Sequence, residues 1–143
     1  MPGKLFARKR DGRVEVRVND AGRALLKEFF VHVVAGERDT EHDWHVALNA
    51  PINPSSDVDD PLSTLARQSD ISSNAELSLM TSNAQFLTEA EAWAWLSTLQ
   101  VALRSMAVVH GILSDEKLET CAPEVLEEIR TLQQFLFDLA ACL

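Results

Sequence analysis

The sequence predicts a mainly α-helical domain with an N-terminal β-hairpin. Two stretches in its second half, about 88–110 and 122–142, carry apolar residues at helical spacing. Residues 4–18 alternate apolar and charged side chains around an Asp-Gly pair, which is typical of a hairpin. A chain of 143 residues, 46% hydrophobic and 24% charged, suits one globular unit. We therefore expect residues 1–143 to form a single domain with its helical core in 88–142.

The predicted hairpin has two chemically different faces. Asp11-Gly12 favours a two-residue turn, because both central positions of that turn need positive φ. Counting outward from this turn pairs Arg8 with Glu15 and Phe6 with Arg17. The face expected to pack on the core holds Leu5, Ala7, Val14, Val16 and Val18. The opposite, basic face supplies the candidate partner-binding residues, which are Phe6, Arg8, Arg10, Arg13 and Arg17.

A first helix is predicted over about 20–35, where apolar pairs recur every four residues. Either Asn19 or Asp20 can cap its start, and Gly36 suits its end. Residues 36–60 contain seven acids together with proline and serine, so we expect an acidic loop there. This loop is a second candidate docking segment, for a basic surface of a partner.

The segment between this loop and the second half is the least regular. Asp60 can cap a short helix that starts at Pro61. Residues 69–86 are rich in Ser and Asn and give no clear prediction, although a weak helix around Ala75–Met80 is compatible with them.

The helix over 88–110 is the most strongly predicted element. Thr88 and Glu91 have the spacing of a capping box, and Gly111 is suited to end the helix. Its apolar residues cover nearly the whole circumference, which indicates a helix buried among other elements. We expect it to be the hub of the fold.

The last helix is predicted to begin near Pro123 and to pack on the hub. Its apolar seam contains Val125, Ile129, Leu132, Leu136, Leu139 and Leu143. Such a seam is more often intramolecular than a dimer interface. Phe137 lies off the seam, however, so a homodimer through this helix is an alternative.

Charge is distributed unevenly along the chain. Residues 1–27 hold eight basic and three acidic groups, a net charge of +5, whereas the remaining residues hold five basic and nineteen acidic groups, a net charge of −14. Such asymmetry is typical of an interaction surface, but it also arises when a basic arm packs against an acidic body. The sequence leaves both explanations open.

Residues with catalytic or metal-binding chemistry are sparse. His42, Asp43 and His45 form a weak metal candidate, because the stretch is not helix-like and zinc usually needs a third and fourth ligand. Glycine-rich phosphate loops and activated nucleophiles are not evident. We therefore expect a protein that is not an enzyme and needs no cofactor.

Two cysteines, Cys121 and Cys142, are too few for a disulfide framework. If both lie on the last helix, they are too far apart to form a disulfide, so a redox switch between them is not expected. The N-terminus lacks the apolar segment of a secretory signal, and no apolar run approaches the length of a membrane helix. The expected location is the cytoplasm, without membrane contact.

Seven short segments of the chain form a recognisable series: Phe6-Ala7-Arg8-Lys9-Arg10-Asp11-Gly12-Arg13-Val14, Leu25-Leu26-Lys27, Asp60-Pro61-Leu62, Glu91-Ala92-Trp93-Ala94-Trp95-Leu96, Leu103-Arg104, His110-Gly111-Ile112 and Leu132-Gln133-Gln134-Phe135-Leu136. Together they resemble the motifs of an actinobacterial domain-of-unknown-function family typified by the actinomycete oxidative-stress response regulator (AosR-like). The middle departs, because the family's longer segment is replaced here by the Ser/Asn-rich residues 69–86. The clustered cysteines of some members are also lacking.

The resemblance implies a helical fold and a regulatory role rather than catalysis. It also places an arginine, Arg104, inside the hub helix, where we expect it to anchor a carboxylate or carbonyl groups. The leading functional hypothesis is a non-enzymatic module that regulates transcription or a stress response through protein contacts. The alternative is a nucleic-acid-binding module that uses the basic hairpin face, and a more distant one is metal or ligand binding at His42, Asp43 and His45.

Overall fold

The structure, a computed structural model, describes residues 5–39, 41–48, 61–112, 116 and 120–143. This part of the chain is mainly α-helical with a small antiparallel sheet, so the predicted fold class is confirmed. The helices are α1 (Asp20–Arg38), α2 (Asp43–Leu48), α3 (Pro61–Met80), α4 (Glu89–Val109) and α5 (Pro123–Ala140). The strands are β1 (Phe6–Arg8), β2 (Val14–Val16) and β3 (Phe86–Leu87), in the sheet order β1-β2-β3.

The hairpin forms as predicted, but its turn and register differ from the expectation. The Lys9 amide donates to the Arg13 carbonyl at 2.8 Å, so the loop holds three residues, and Gly12 adopts φ +90° at its end. Three-residue hairpin loops commonly use glycine at such a position. Phe6 therefore pairs with Val16 instead of Arg17.

This one-residue shift exchanges the faces of β1. Phe6 lies on the core side with Val14 and Val16 and is fully buried. The predicted exposure of Phe6 on the basic face is wrong, because the pleat alternates at every residue and a shift of one reverses it. Burying a phenyl ring in place of the Ala7 methyl removes more apolar surface from water, which favours the observed register.

The third strand was not predicted. Glu15 of β2 pairs with Phe86, and Val14 pairs with Leu87, directly before α4 begins. Leu87 is fully buried. The hairpin is thereby attached to the start of the hub helix through main-chain pairing.

Helix α1 is longer than predicted. Asn19 is its N-cap, accepting a hydrogen bond from the Gly22 amide at 2.8 Å. Gly36 does not end the helix but is buried within it, and the helix continues to Arg38. The His45 ring of α2 lies 2.8 Å from the Gly36 carbonyl oxygen, so α2 packs next to this position.

The predicted acidic loop and the Ser/Asn-rich segment both contain more helix than expected. Within 36–60, residues Asp43–Leu48 form α2, while residues 49–60 lie outside the part of the chain that the structure describes. Burial of Trp44 against the core accounts for this short helix, which local propensity alone would not support. Pro61–Met80 forms one continuous helix in place of the two fragments expected.

Helix α4 is the hub, as predicted. Thr88 and Glu91 form the complete capping box, and Gly111 follows the helix with φ +66°. The helix packs against α1, α2, α3, α5 and β3. Its circumference is less completely buried than expected, since Trp93 and Val108 are 46% and 41% exposed.

The core is continuous and centred on Trp95 of α4. The indole packs edge-on against Phe30 and Phe6, with ring centroids 5.1 and 6.3 Å away, and its N–H donates to the Thr81 hydroxyl at 2.8 Å. The α5 seam joins this core through Ile129 and other apolar residues, so it is used within the molecule. Among the described helices, none combines the length and apolarity required to cross a membrane.

Candidate protein-binding surface

The solvent side of the three-stranded sheet carries a compact group of charged residues around one aromatic ring. The register places alternate residues of each strand on this side. We call it the basic sheet face, and it consists of Lys9, Arg13, Glu15, Arg17 and Phe86, with Arg10 and Asp11 in the adjoining turn.

Glu15 lies at the centre of this face between two cations. Its carboxylate accepts a hydrogen bond from the Arg17 guanidinium and lies 3.4 Å from the Lys9 ammonium nitrogen. Hydrogen bonding from Arg17, supported by Lys9, holds the pKa of Glu15 below its ordinary value, although partial desolvation of the carboxylate acts in the opposite direction. Glu15 is therefore a carboxylate that keeps the two cations side by side.

Arg13 is held by the turn on one side and by an aromatic ring on the other. Asp11 accepts hydrogen bonds from the Arg13 amide at 3.0 Å and from its guanidinium at 2.7 Å, which lowers the pKa of Asp11 below its ordinary value. The Arg13 guanidinium carbon lies 4.6 Å from the centre of the Phe86 ring, a cation–π contact. The stacked pair therefore offers a partner both the apolar surface of the Phe86 ring and the positive charge of the Arg13 guanidinium.

The structure brings three of the five sequence-predicted binding residues to this surface. Arg13 and Arg17 lie on the sheet face and Arg10 is exposed in the turn. Phe6 is in the core, and Arg8 projects from the other side of β1. Arg8 donates to the Cys142 carbonyl at 3.1 Å and lies 3.8 Å from Glu89, which ties β1 to the end of α5 and the start of α4.

In the part of the chain that the structure describes, the basic arm (the residues up to Lys27) forms a single ion pair with the acidic body. Among the described basic residues up to Lys27, only Arg8 pairs with an acid beyond that residue, and its partner Glu89 is 60% exposed. The other pairs of this arm are local, to Asp11 and Glu15. The basic sheet face and its turn hold four cations, three of which pair with its two carboxylates, so this surface has a net charge of +2 on a chain of net charge −9.

Comparisons of the chain with protein-family models, curated proteins and solved structures found no match.

Both histidines of the predicted metal candidate make local contacts. The His42 Nδ1 accepts a hydrogen bond from the Trp44 amide at 3.1 Å, and the His45 Nδ1 lies 2.8 Å from the Gly36 carbonyl oxygen. Helix α2 begins at Asp43, so the earlier expectation that this stretch is not helical is wrong. Within the described ranges, no three histidine, cysteine or acidic residues are arranged to hold a metal ion.

The other two histidines meet at a small cavity. His32 of α1 and His110 at the end of α4 line a space of 160 Å³ together with Glu28 and Glu128. The His32 ring lies 5.1 Å from the indole of Trp44, and its Nε2 lies 3.7 Å from the Glu28 carboxylate. This grouping could not be predicted from the sequence, because the residues come from distant parts of the chain.

The two cysteines, Cys121 and Cys142, lie just before and just after α5, and neither forms a disulfide.

An open apolar groove of 380 Å³ runs between α4 and α5 and shares no lining residue with the basic sheet face. Phe137, which the sequence placed off the α5 seam, forms one wall of this groove and is 75% exposed. Phe86 was also missed by the sequence reasoning. The signal for the strand that contains Phe86 was the short run Gln85-Phe86-Leu87 before the capping box. A strand of only two residues is too short to show an alternating pattern.

Proposed function

We propose that this protein is a non-enzymatic recognition module of the cytoplasm, which regulates transcription or a stress response by binding an acidic segment of a partner protein on its basic sheet face. The observation that carries this proposal is the unshared positive charge of that face. Its cations exceed its carboxylates, and among the described residues no acid outside this face forms an ion pair with its cations. Charge of this kind is available to a partner and accelerates encounter with it.

An acidic peptide suits this face better than nucleic acid does. Specific binding to nucleic acid normally uses several phosphate contacts, whereas the face has a net charge of only +2. Residues 28–143 have a net charge of −14 and would repel phosphates. The Arg13–Phe86 stack offers an apolar patch beside the cations, as protein interfaces commonly do. A nucleic-acid-binding module remains the second candidate function, because base stacking on Phe86 uses the same surface.

The test compares binding of two labelled probes, a poly-glutamate peptide and a DNA duplex, by fluorescence anisotropy at low and high salt. We expect the peptide to bind, and its affinity to fall as salt rises. In the double variant Arg10→Gln/Arg17→Gln, peptide affinity should fall roughly tenfold, since two exposed charge contacts of about 0.7 kcal/mol each amount to one factor of ten.

The matched control is Lys27→Gln/Arg38→Gln, which removes the same charge from exposed positions of α1. An equal loss in this control would show that only net charge matters and would contradict docking on the sheet face. No peptide binding at low salt would also contradict it. Tighter binding of the DNA duplex than of the peptide would favour the second candidate.

A further inference from the structure

The face formed by α4 and α5 has the properties of a contact between identical chains. The groove between the two helices is lined by Leu96, Gln100, Leu103, Gln133, Leu136 and Ala140, without a charged residue. In a chain with 22 acidic residues, such an uncharged strip on the surface is unusual. Trp93, 46% exposed and two helical turns before Gln100, extends the apolar surface along the same side of α4.

A knob and a groove lie next to each other on this face. The Phe137 side chain is 75% exposed and forms the outer wall of the groove. A two-fold axis beside such a pair lets the ring of each chain enter the groove of the other, because isologous interfaces bring the same patch of both chains together. A protruding aromatic and a receiving groove are thus supplied by one surface.

The charges that flank the groove on α5 are complementary under the same symmetry. Arg130 and Asp138 lie four residues before and four residues after Gln134, so within one chain they are roughly 12 Å apart along the helix. Asp138 accepts a hydrogen bond from Gln134 at 2.9 Å, and Arg130 has no partner among the described residues. When two copies of α5 run antiparallel with their Gln134 residues at the axis, each Arg130 faces the Asp138 of the other copy.

The available area is sufficient for a specific but modest interface. Helix α5 has 18 residues and is therefore about 27 Å long. Two helices side by side are roughly 20 Å wide, so the face projects about 500 Å² per copy, close to the roughly 1,000 Å² total that specific contacts need. We expect reversible association that depends on concentration.

We propose that the α4/α5 face binds a second copy of this chain, with the two α5 helices antiparallel about a two-fold axis near Gln134. The proposal does not rest on the function proposed for the basic sheet face. It adds to it, since a two-fold dimer presents two basic sheet faces to a partner.

Sedimentation velocity over a concentration series tests the proposal. The wild-type chain of 15.9 kDa should move from monomer towards twice that mass as concentration rises. The variant Phe137→Glu should stay monomeric throughout, because it places a charge in the apolar contact. Met80→Glu is the matched control, since Met80 is an 83% exposed apolar residue of α3, and this variant should dimerise like the wild type.

Charge reversal tests the antiparallel arrangement. Arg130→Asp alone and Asp138→Arg alone should each weaken the dimer several-fold, and the combined variant should restore it, because each reversed residue then faces a reversed partner.

Circular dichroism checks that every variant is folded. A wild-type chain that stays monomeric at all concentrations overturns the proposal, as does a dimer unaffected by Phe137→Glu or not restored by the combined reversal. Arg10→Gln/Arg17→Gln should leave the dimer unchanged, so failure of this proposal is distinguishable from failure of the proposed function.

Discussion

Glu15 positions two of the cations of the basic sheet face. It receives a hydrogen bond from Arg17 and lies within 3.4 Å of Lys9, so one carboxylate holds two cations in place. The same contacts stabilise the ionised form, which lowers the pKa of Glu15. Because the folded pKa is below the unfolded one, the stabilisation is present at neutral pH and is lost as pH falls through the lowered value.

We expect Arg17→Gln to raise the pKa of Glu15 towards the ordinary glutamate value, since the largest cause of its depression is the Arg17 hydrogen bond. The measurement is an NMR titration of the Glu15 side-chain carboxyl carbon in the wild type and the variant. Lys27→Gln, which removes a charge from α1, is the control and should leave the midpoint unchanged. An unchanged midpoint in Arg17→Gln would show that the ion pair is not maintained in solution.

Arg23 shows a different use of a residue from the same basic arm. Its guanidinium donates to the carbonyls of Ser82 and Ala84 at 3.2 and 2.9 Å and to that of Val16 at 3.3 Å. It thus connects α1 to β2 and to the segment that leads into β3. From the sequence it was counted only as one more positive charge, because its acceptors are main-chain groups whose position depends on the fold. These carbonyls are partly buried, so the bonds also satisfy groups that would otherwise lose contact with water.

At the scale of elements, the hairpin shows how much depends on one residue of loop length. The three-residue loop with Gly12 at φ +90° determines that Phe6, and not Ala7, reaches the core. Phe6 then contacts Trp95 of α4, so the turn fixes a contact between the sheet and the hub helix. Glycine adopts this φ at little cost, whereas other residues are strained there.

The observed register predicts unequal effects for two neighbouring residues. Phe6→Ala should lower the free energy of unfolding by about 3–5 kcal/mol, as expected for removing a fully buried phenyl ring. Ala7→Ser should change it by less than about 0.5 kcal/mol, because Ala7 lies on the solvent side of the sheet. Urea denaturation followed by circular dichroism measures both. A larger loss for Ala7→Ser than for Phe6→Ala would indicate the register that the sequence suggested.

Elements whose signals are contiguous in the chain could be predicted, and those that depend on distant contacts could not. The capping box at Thr88 and the proline at the start of α5 lie within a few residues of the helix ends they specify. By contrast, α2 depends on the burial of Trp44, and β3 depends on pairing with β2, so neither leaves a long local pattern. The candidate site divides in the same way. Arg13 and Arg17 were placed on the solvent side because the β2 alternation is unambiguous, whereas β1 has apolar and basic residues in both phases.

At the scale of the whole molecule, the two proposed surfaces are separate, and both are connected to α4. The basic sheet face is joined to the start of α4 through β3, and the proposed dimer face is formed by α4 together with α5. Arg8 bonds to the Cys142 carbonyl just after α5, so the hairpin and the last helix also meet at this end. Helix α4 is therefore the structural element that connects the proposed partner-binding surface with the proposed dimer surface.

The packing predicts an order of stability within the molecule that hydrogen exchange can measure. Helix α4 packs against every other described helix, whereas α5 packs broadly against α4 alone. Local opening requires less free energy where fewer contacts must break, so α5 should open more readily than α4. We expect the slowest amide hydrogen exchange in the middle of α4, around the fully buried Trp95 and Leu99, and faster exchange along α5.

The measurement is made in the Phe137→Glu variant, because dimerisation of the wild-type chain would add protection to α5. Leu132→Ala in that background removes a fully buried contact of α5 and should speed exchange in α5 more than in α4. Equal protection of both helices, with an equal response to Leu132→Ala, would instead show that they open as one cooperative unit.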